Sequence, residues 1–463
     1  MLRCRIISVM SATAPPAVER ATAPVSALPP GPPLPMVAQA ALWVLRPFPF
    51  MRWCRRRYGD IFSMRLPLDG DFVTVCDPAG IKAVFAADPD ELHAGEANRI
   101  LEPLLGQHSV LLLDGREHMR QRRLMLPSFH GERIQRYGVL ITDITNREID
   151  RWPVGQEMQL EPRMQAITLE VILRAVFGVD EGPQLTELRD RLRALIDMGG
   201  SPLRLIPSMR MSERSGRPRG RLARLLQAKT EVDALLYDEI ARRRRRSDLS
   251  ERDDILSLLI QARDENGEPM TDVELRDELM TLLAAGHETT ATAMAWFFEQ
   301  ILRRPATLHR LEDELARGET IYLDAAIRET LRVRPVVPMV VRRLKAPMDL
   351  MGYHLPAEVI VACNIVATHS REDLYPNAGE FSPERFIGKG SETYTWIPFG
   401  GGVRRCLGAS FATFEMRTVI PEILRRTRLR AVGRRPERIR RRAVTLYPAR
   451  RTRVAVETLR PAA

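Results

Sequence analysis

Between about Gly115 and Gln300, apolar positions recur mostly at the spacing of amphipathic helices, which predicts a largely helical body. Ahead of it the pattern is mixed. Asp71 to Cys76 (Asp-Phe-Val-Thr-Val-Cys) reads as a strand, and Pro78 to Ala86 reads as a short helix. The proline-rich run Pro24 to Pro35 is extended and stiff, so a flexible tail over 1–35 is expected to give way near Met36 to a single domain over 36–463. The basic stretch Ser212 to Gly220 interrupts the helical pattern as a surface loop would. No internal repeat is visible.

The clearest element runs from Thr271 to Arg304. Thr271 and Glu274 have the spacing of a capping box at its start, and Pro305 prevents continuation at its end. About 33 helical residues make a rod of roughly 50 Å, long enough to cross a whole domain. In its middle the sequence turns to Ala284-Ala-Gly-His-Glu-Thr-Thr-Ala-Thr292, where glycine and three threonines replace good helix formers. That composition weakens the hydrogen-bond ladder and predicts a local kink or bulge, at the place where function is expected.

A second stretch stands out near the C-terminal end, Phe399-Gly-Gly-Gly-Val-Arg-Arg-Cys-Leu-Gly-Ala409, followed by a helical pattern. Its glycines allow a flat group to approach the backbone and leave amide N–H groups free for a sulfur. Arg404 can pair with a carboxylate, and a helix N-terminus just after Cys406 favours thiolate over thiol. A lone cysteine is ordinarily a small buried apolar residue. Here the surroundings argue otherwise. No strand–GxxxxGK[ST]–helix pattern supports the rival phosphate-loop reading.

Phe399, Gly402, Cys406 and Gly408 match the signature Phe-x-x-Gly-x-x-x-Cys-x-Gly of the cytochrome P450 superfamily, and the resemblance extends over most of the chain. Ala285-Gly-His-Glu-Thr-Thr290 is similar to the family's distal-helix motif, which implies proton delivery by Glu288 and Thr289; many members have Asp where this chain has Glu288. His287, in the same motif, is read as a packed or solvated side chain. Glu329-Thr-Leu-Arg332, with Arg385 of Pro383-Glu-Arg-Phe386, resembles the family's buried structural triad. His118 and Arg122 share a helix face, and with Arg342 and Arg404 they resemble the family's propionate-binding residues.

The resemblance, closest to soluble actinobacterial members, implies a mainly α fold with a smaller sheet-bearing lobe and haem b held between the long distal helix and the cysteine loop. Cys406 would be the axial ligand. The implied reaction is hydroxylation of a hydrophobic small molecule by dioxygen. Pocket walls are expected at Ile100 to Leu112, Leu283 to Thr289, Val336 to Val340 and Ala443 to Leu446. Only 57 residues follow Cys406 (463 minus 406), so the electrons are expected from a separate ferredoxin and ferredoxin reductase rather than a fused flavin domain.

Composition narrows the remaining choices. Forty-four percent hydrophobic residues over 463 positions are enough for a large core. Cys4, Cys54, Cys76, Cys363 and Cys406 have no CxxC spacing, which suits reduced thiols in the cytoplasm. No apolar run between Met1 and Arg57 approaches the roughly 20 residues of a membrane span, and none reads as a secretory leader. The chain is therefore expected to be a monomer without a transmembrane anchor.

A net charge of +11 permits an anionic partner. The arginine runs Arg242 to Arg246 and Arg425 to Arg453 lack interleaved stacking aromatics, so they read as solvated helix ends rather than a nucleic-acid site. A haem sensor would have no need of the Glu288–Thr289 pair, whereas a peroxide-driven enzyme stays open at this stage. Arg120 and Arg123, opposite His118 and Arg122 on their helix, are expected to be exposed and, with Arg405, to offer a basic patch to an acidic ferredoxin.

Overall fold

The computed structural model describes residues 28–66, 70–129, 132–178, 183–199, 220–388, 393–442 and 444–462. Most of the tail and nearly all of the stretch 212–220 thus lie outside the described residues. The chain forms two compact units, one of Met1–Ala97, Val337–Phe381 and Gly390–Arg405, the other of Asn98–Val336, Ser382–Lys389 and Cys406–Ala463.

The first unit is built on a five-stranded sheet in the order Ile61–Leu66, Gly70–Val75, Ile360–Cys363, Val340–Leu344, Leu92–His93. The central pair Gly70–Val75 and Ile360–Cys363 is parallel, and its neighbours run antiparallel. The helix Pro78–Ala86 starts where the sequence places it, because Asp77 caps the amides of Ala79 and Gly80 and proline occupies the first turn. Its Ile81, Val84 and Phe85 join Val73, Val75, Val361 and Cys363 in one apolar core. The end of the proline-rich run is docked on this unit. The Pro30 carbonyl accepts the Ser63 amide at 3.1 Å, and the helix Met36–Leu45 follows.

The second unit is mainly helical. Its axis is the long helix Asp272–Ile301, which packs along the helix Leu160–Phe177. The expected capping box is present, with Thr271 Oγ1 accepting the Glu274 amide and Glu274 Oε2 accepting the Thr271 amide. The helix ends at Ile301, three residues short of the expected Arg304, and Pro305 opens the next helix. No bulge interrupts it. The hydroxyls of Thr289 and Thr290 and the His287 ring bond back to the carbonyls of Ala285, Gly286 and Leu283, and packing on Leu160–Phe177 offsets the poor local propensity.

The basic run is not a solvated helix end throughout, as the sequence suggested. Arg243 is buried among Asp254, Ser257, Glu239 and the Phe177 carbonyl, and Arg244 and Arg246 are paired with Asp272 and Asp248. Near the C-terminal end a hairpin, Ile439–Arg442 with Thr445–Pro448, is fixed to the long helix. Trp296 Nε1 donates to the Leu446 carbonyl at 3.0 Å, and the Leu446 amide donates to Val336 at 2.7 Å. No helix among the described residues is long and apolar enough to cross a membrane.

Candidate active site

The cysteine loop is shaped before the cysteine is reached. Gly400 and Gly402 hold φ of 68° and 63°, the left-handed region that glycine enters without strain. A Cβ on Gly401 would lie 2.2 Å from the Phe85 ring, and one on Gly402 would lie 2.2 Å from the Phe85 carbonyl oxygen. Those two glycines are therefore required by the helix Pro78–Ala86 as well as by any flat ligand, a reason that the local sequence does not display. The Tyr375 hydroxyl donates to the Thr395 carbonyl and the Ile397 amide donates to His369 Nε2, fixing the strand of chain that leads in.

Cys406 is exposed and stands three residues before the helix Ala409–Arg426, within reach of its N-terminal dipole. Cys54, Cys76 and Cys363 are buried instead, and burial pushes their thiols up, that of Cys363 to about 12. They are inert packing residues. Cys4 lies outside the described residues. A Cβ on Gly408 would meet no atom within 4 Å, so the packing of the described residues does not demand glycine there. Phe399 stacks edge-on against Trp396, with centroids 6.1 Å apart.

The cations suited to a doubly charged carboxylate ligand occur in both units. In the helical unit, buried His118 and half-buried Arg122 lie one turn apart on the helix Gly115–Met125. In the sheet unit, Arg342 is buried on Val340–Leu344 with its guanidinium 5.9 Å from the Phe85 ring centroid, and half-buried Arg404 ends the turn after Gly402. An exposed soft thiol and cationic side chains are the donor types that haem takes, thiolate for iron and cations for propionates.

Glu288 and Thr289 sit mid-helix and are half-buried. Thr289 Oγ1 donates to the Ala285 carbonyl at 2.7 Å, which leaves its oxygen as an acceptor. Glu288 is engaged by groups the sequence did not single out. Its Oε1 accepts from Arg442 Nε at 2.9 Å and from Thr445 Oγ1 at 3.0 Å. Arg442 also reaches Glu161 at 3.4 Å. The buried His287 instead bonds the Leu283 carbonyl.

Glu329, Arg332 and Arg385 come together. Arg332 donates from Nε and Nη2 to the two Glu329 oxygens, each at 2.7 Å, while Arg385 Nε and the Ser382 amide reach Oε1 at 3.2 and 2.9 Å.

One expectation fails. Arg120 is not free for a partner, because its guanidinium binds Asp264 at 2.6 Å, Glu274 at 2.7 Å and the Pro269 carbonyl at 3.1 Å. It ties its helix to the start of the long one. Arg123 is 64% exposed and pairs with the exposed Glu265.

The family model for cytochrome P450 matches residues 29–455. A putative cytochrome P450 135B1 of Mycobacterium tuberculosis is 43% identical over 439 residues, covering 94% of this chain and 92% of that protein. A putative cytochrome P450 135A1 of the same species is 39% identical, covering 88% and 90%. Among solved structures, retinoic acid-bound cyanobacterial CYP120A1 superposes with a TM-score of 0.80 at 25% identity, covering 95% of this chain and all of that one. With the fold in agreement with these likenesses, the chain belongs to the cytochrome P450 family, the haem-thiolate monooxygenases.

Proposed function

We propose that this P450 hydroxylates a hydrophobic small molecule with dioxygen, using Cys406 as the thiolate ligand of haem b and Glu288 and Thr289 to deliver protons. One observation supports this reading above others. The helix that follows Cys406 and the long helix carrying Glu288 and Thr289 pack on each other within a single unit. When bound, the haem supplies dioxygen activation, which thiolate ligation promotes as a general property of the class.

This chain's residues would do the rest. Thr289 presents its hydroxyl oxygen to a proton donor such as water, and Glu288 resupplies the proton. His118, Arg122, Arg342 and Arg404 neutralise the propionates, and Phe399, Gly402 and Gly408 shape the thiolate's surroundings. Glu329, Arg332 and Arg385 hold the fold beneath them. A pocket lined by Leu283, Val336 and Leu446 would be apolar, consistent with the retinoic acid seen in CYP120A1.

We further propose one catalytic domain from Met36 onward, acting as a cytoplasmic monomer with electrons from a separate ferredoxin and its reductase. Free buried cysteines suit a reducing compartment, and exposed Arg405 and Arg123 suit an acidic partner. Replacing Cys406 with histidine tests the centre of the reading. The variant should keep some haem and lose the far-red Soret band of the reduced carbon monoxide complex. An unchanged band would remove Cys406 as the ligand.

A further inference from the structure

Arg442 lies between two carboxylates of the helical unit. It donates to Glu288 Oε1 at 2.9 Å and to Glu161 Oε1 at 3.4 Å. Glu161 stands in the first turn of Leu160–Phe177, the helix against which the long helix packs, and it is completely buried. Gln165 Nε2 reaches its Oε1 at 3.3 Å, whereas Oε2 meets no donor among the described residues. A buried carboxyl with one oxygen unsatisfied is a poor site for negative charge. Of the charged groups around it, Arg442 and Arg451 favour ionisation, and Glu288 and Glu437 oppose it. Burial outweighs them all and raises its pKa to about 7.

We propose that Glu161 is a positioning residue for oxygenation, a buried carboxyl that controls, through the shared Arg442, how firmly Glu288 is held for proton delivery. The proposal rests on reading Glu288 as the acid that serves Thr289. While Glu161 keeps its proton, Arg442 has one anionic partner, so Glu288 is held tightly. Once Glu161 has given its proton to solvent, two carboxylates share the guanidinium. The second negative charge then competes for Arg442 and loosens the ion pair that holds Glu288. A proton donor must come within hydrogen-bond reach of its acceptor, and a carboxyl released from its ion pair is free to turn there, so ionised Glu161 favours delivery. With a midpoint about 7, the ionised fraction rises about tenfold between pH 6 and pH 8.

Two measurements on the holoenzyme test this without a known substrate. The first is a pH titration of the protonated-carboxyl stretch by infrared spectroscopy. A band with its midpoint about 7 should disappear in Glu161→Gln. Its midpoint should fall in Glu288→Gln, which removes a like charge, and rise in Arg442→Gln. The second is hydrogen peroxide released per electron pair during substrate-free oxidation of NADPH, driven by a ferredoxin and its reductase. Failed proton delivery increases this yield.

In the wild type the peroxide yield should fall from pH 6 to pH 8 in step with the band. Glu161→Gln should keep the low-pH value throughout, and Glu161→Asp should restore the pH dependence. If Glu161→Gln fails to bind haem, Arg442→Gln carries the test, since it too must abolish the step. Absence of a titrating band removed by Glu161→Gln, or survival of the step in that variant, overturns the proposal alone. A Glu288→Gln variant with unaltered peroxide yield overturns the reading of Glu288 as the acid, and the proposal falls with it.

Discussion

Removing Arg332 should be among the most damaging single changes outside the haem centre. Glu329 is 0% and Arg332 1% exposed, so no water can replace the two 2.7 Å bonds between them. In Arg332→Ala, Glu329 keeps the 3.2 Å contact from Arg385 and the Ser382 amide at 2.9 Å but loses both 2.7 Å bonds. Truncating one member of a buried pair costs about 3–5 kcal/mol, most of it from the stranded charge. Unfolding entropy of about 2.1 cal/mol/K per residue gives about 1 kcal/mol/K for a chain of this length, so the melting temperature should fall by about 3–5 °C.

Arg385→Ala should cost less, because the contact of Arg385 Nε to Glu329 is longer, at 3.2 Å, and Arg385 is 15% exposed. Replacing Glu329 and Arg332 together with leucine should recover much of the loss, since no buried charge is then stranded. Differential scanning calorimetry of the four proteins, with haem content measured in parallel, gives the comparison. The reasoning is refuted if Arg332→Ala melts with the wild type, or if the double variant is worse than the single one.

Thr289→Ala should consume NADPH at a near-normal rate while releasing more peroxide, because the hydroxyl that receives the proton is gone; an unchanged peroxide yield would count against its role. Gly402→Ala should lose haem and stability, since its Cβ would lie 2.2 Å from the Phe85 carbonyl at a φ of 63°; haem titration showing wild-type affinity would mean the loop relaxes freely. Glu161 should make stability pH-dependent. Its carboxyl ionises at about 4.5 in the unfolded chain and at about 7 when folded, so its contribution is fully present below pH 4.5 and is lost as pH rises to 7, about 3 kcal/mol in all. Denaturation curves of Glu161→Gln should lack that decline, and an identical slope in both proteins would place the Glu161 proton elsewhere.

What the sequence makes legible is what neighbouring residues determine together. Thr271 and Glu274 form their box within one turn, and Asp77 and Pro78 start a helix with atoms only a few residues apart. The cysteine loop is legible because a whole motif is contiguous. The reverse holds for Arg120, whose spacing on its own helix suggests exposure while its partners Asp264 and Glu274 come from 144 and 154 residues further along. Arg442 was submerged in an arginine-rich run, and nothing local marks it as the partner of Glu288. The loop glycines show a third case. Their presence is readable, but their quarrel with Phe85 depends on packing that no spacing reveals.

The attachment of the late hairpin to the long helix also has a meaning in time. Arg442 is made 154 residues after Glu288, and Leu446 is made 150 residues after Trp296. At about 5–20 residues per second, a ribosome takes roughly 8–30 s to cover that interval. Throughout it, a nascent chain carries the central turns of its longest helix without the partners that finally satisfy them. During synthesis, then, the Glu288 turn is among the last parts of the helical unit to reach its final state. A chaperone holding that helix would have to release it only after the hairpin has left the exit tunnel.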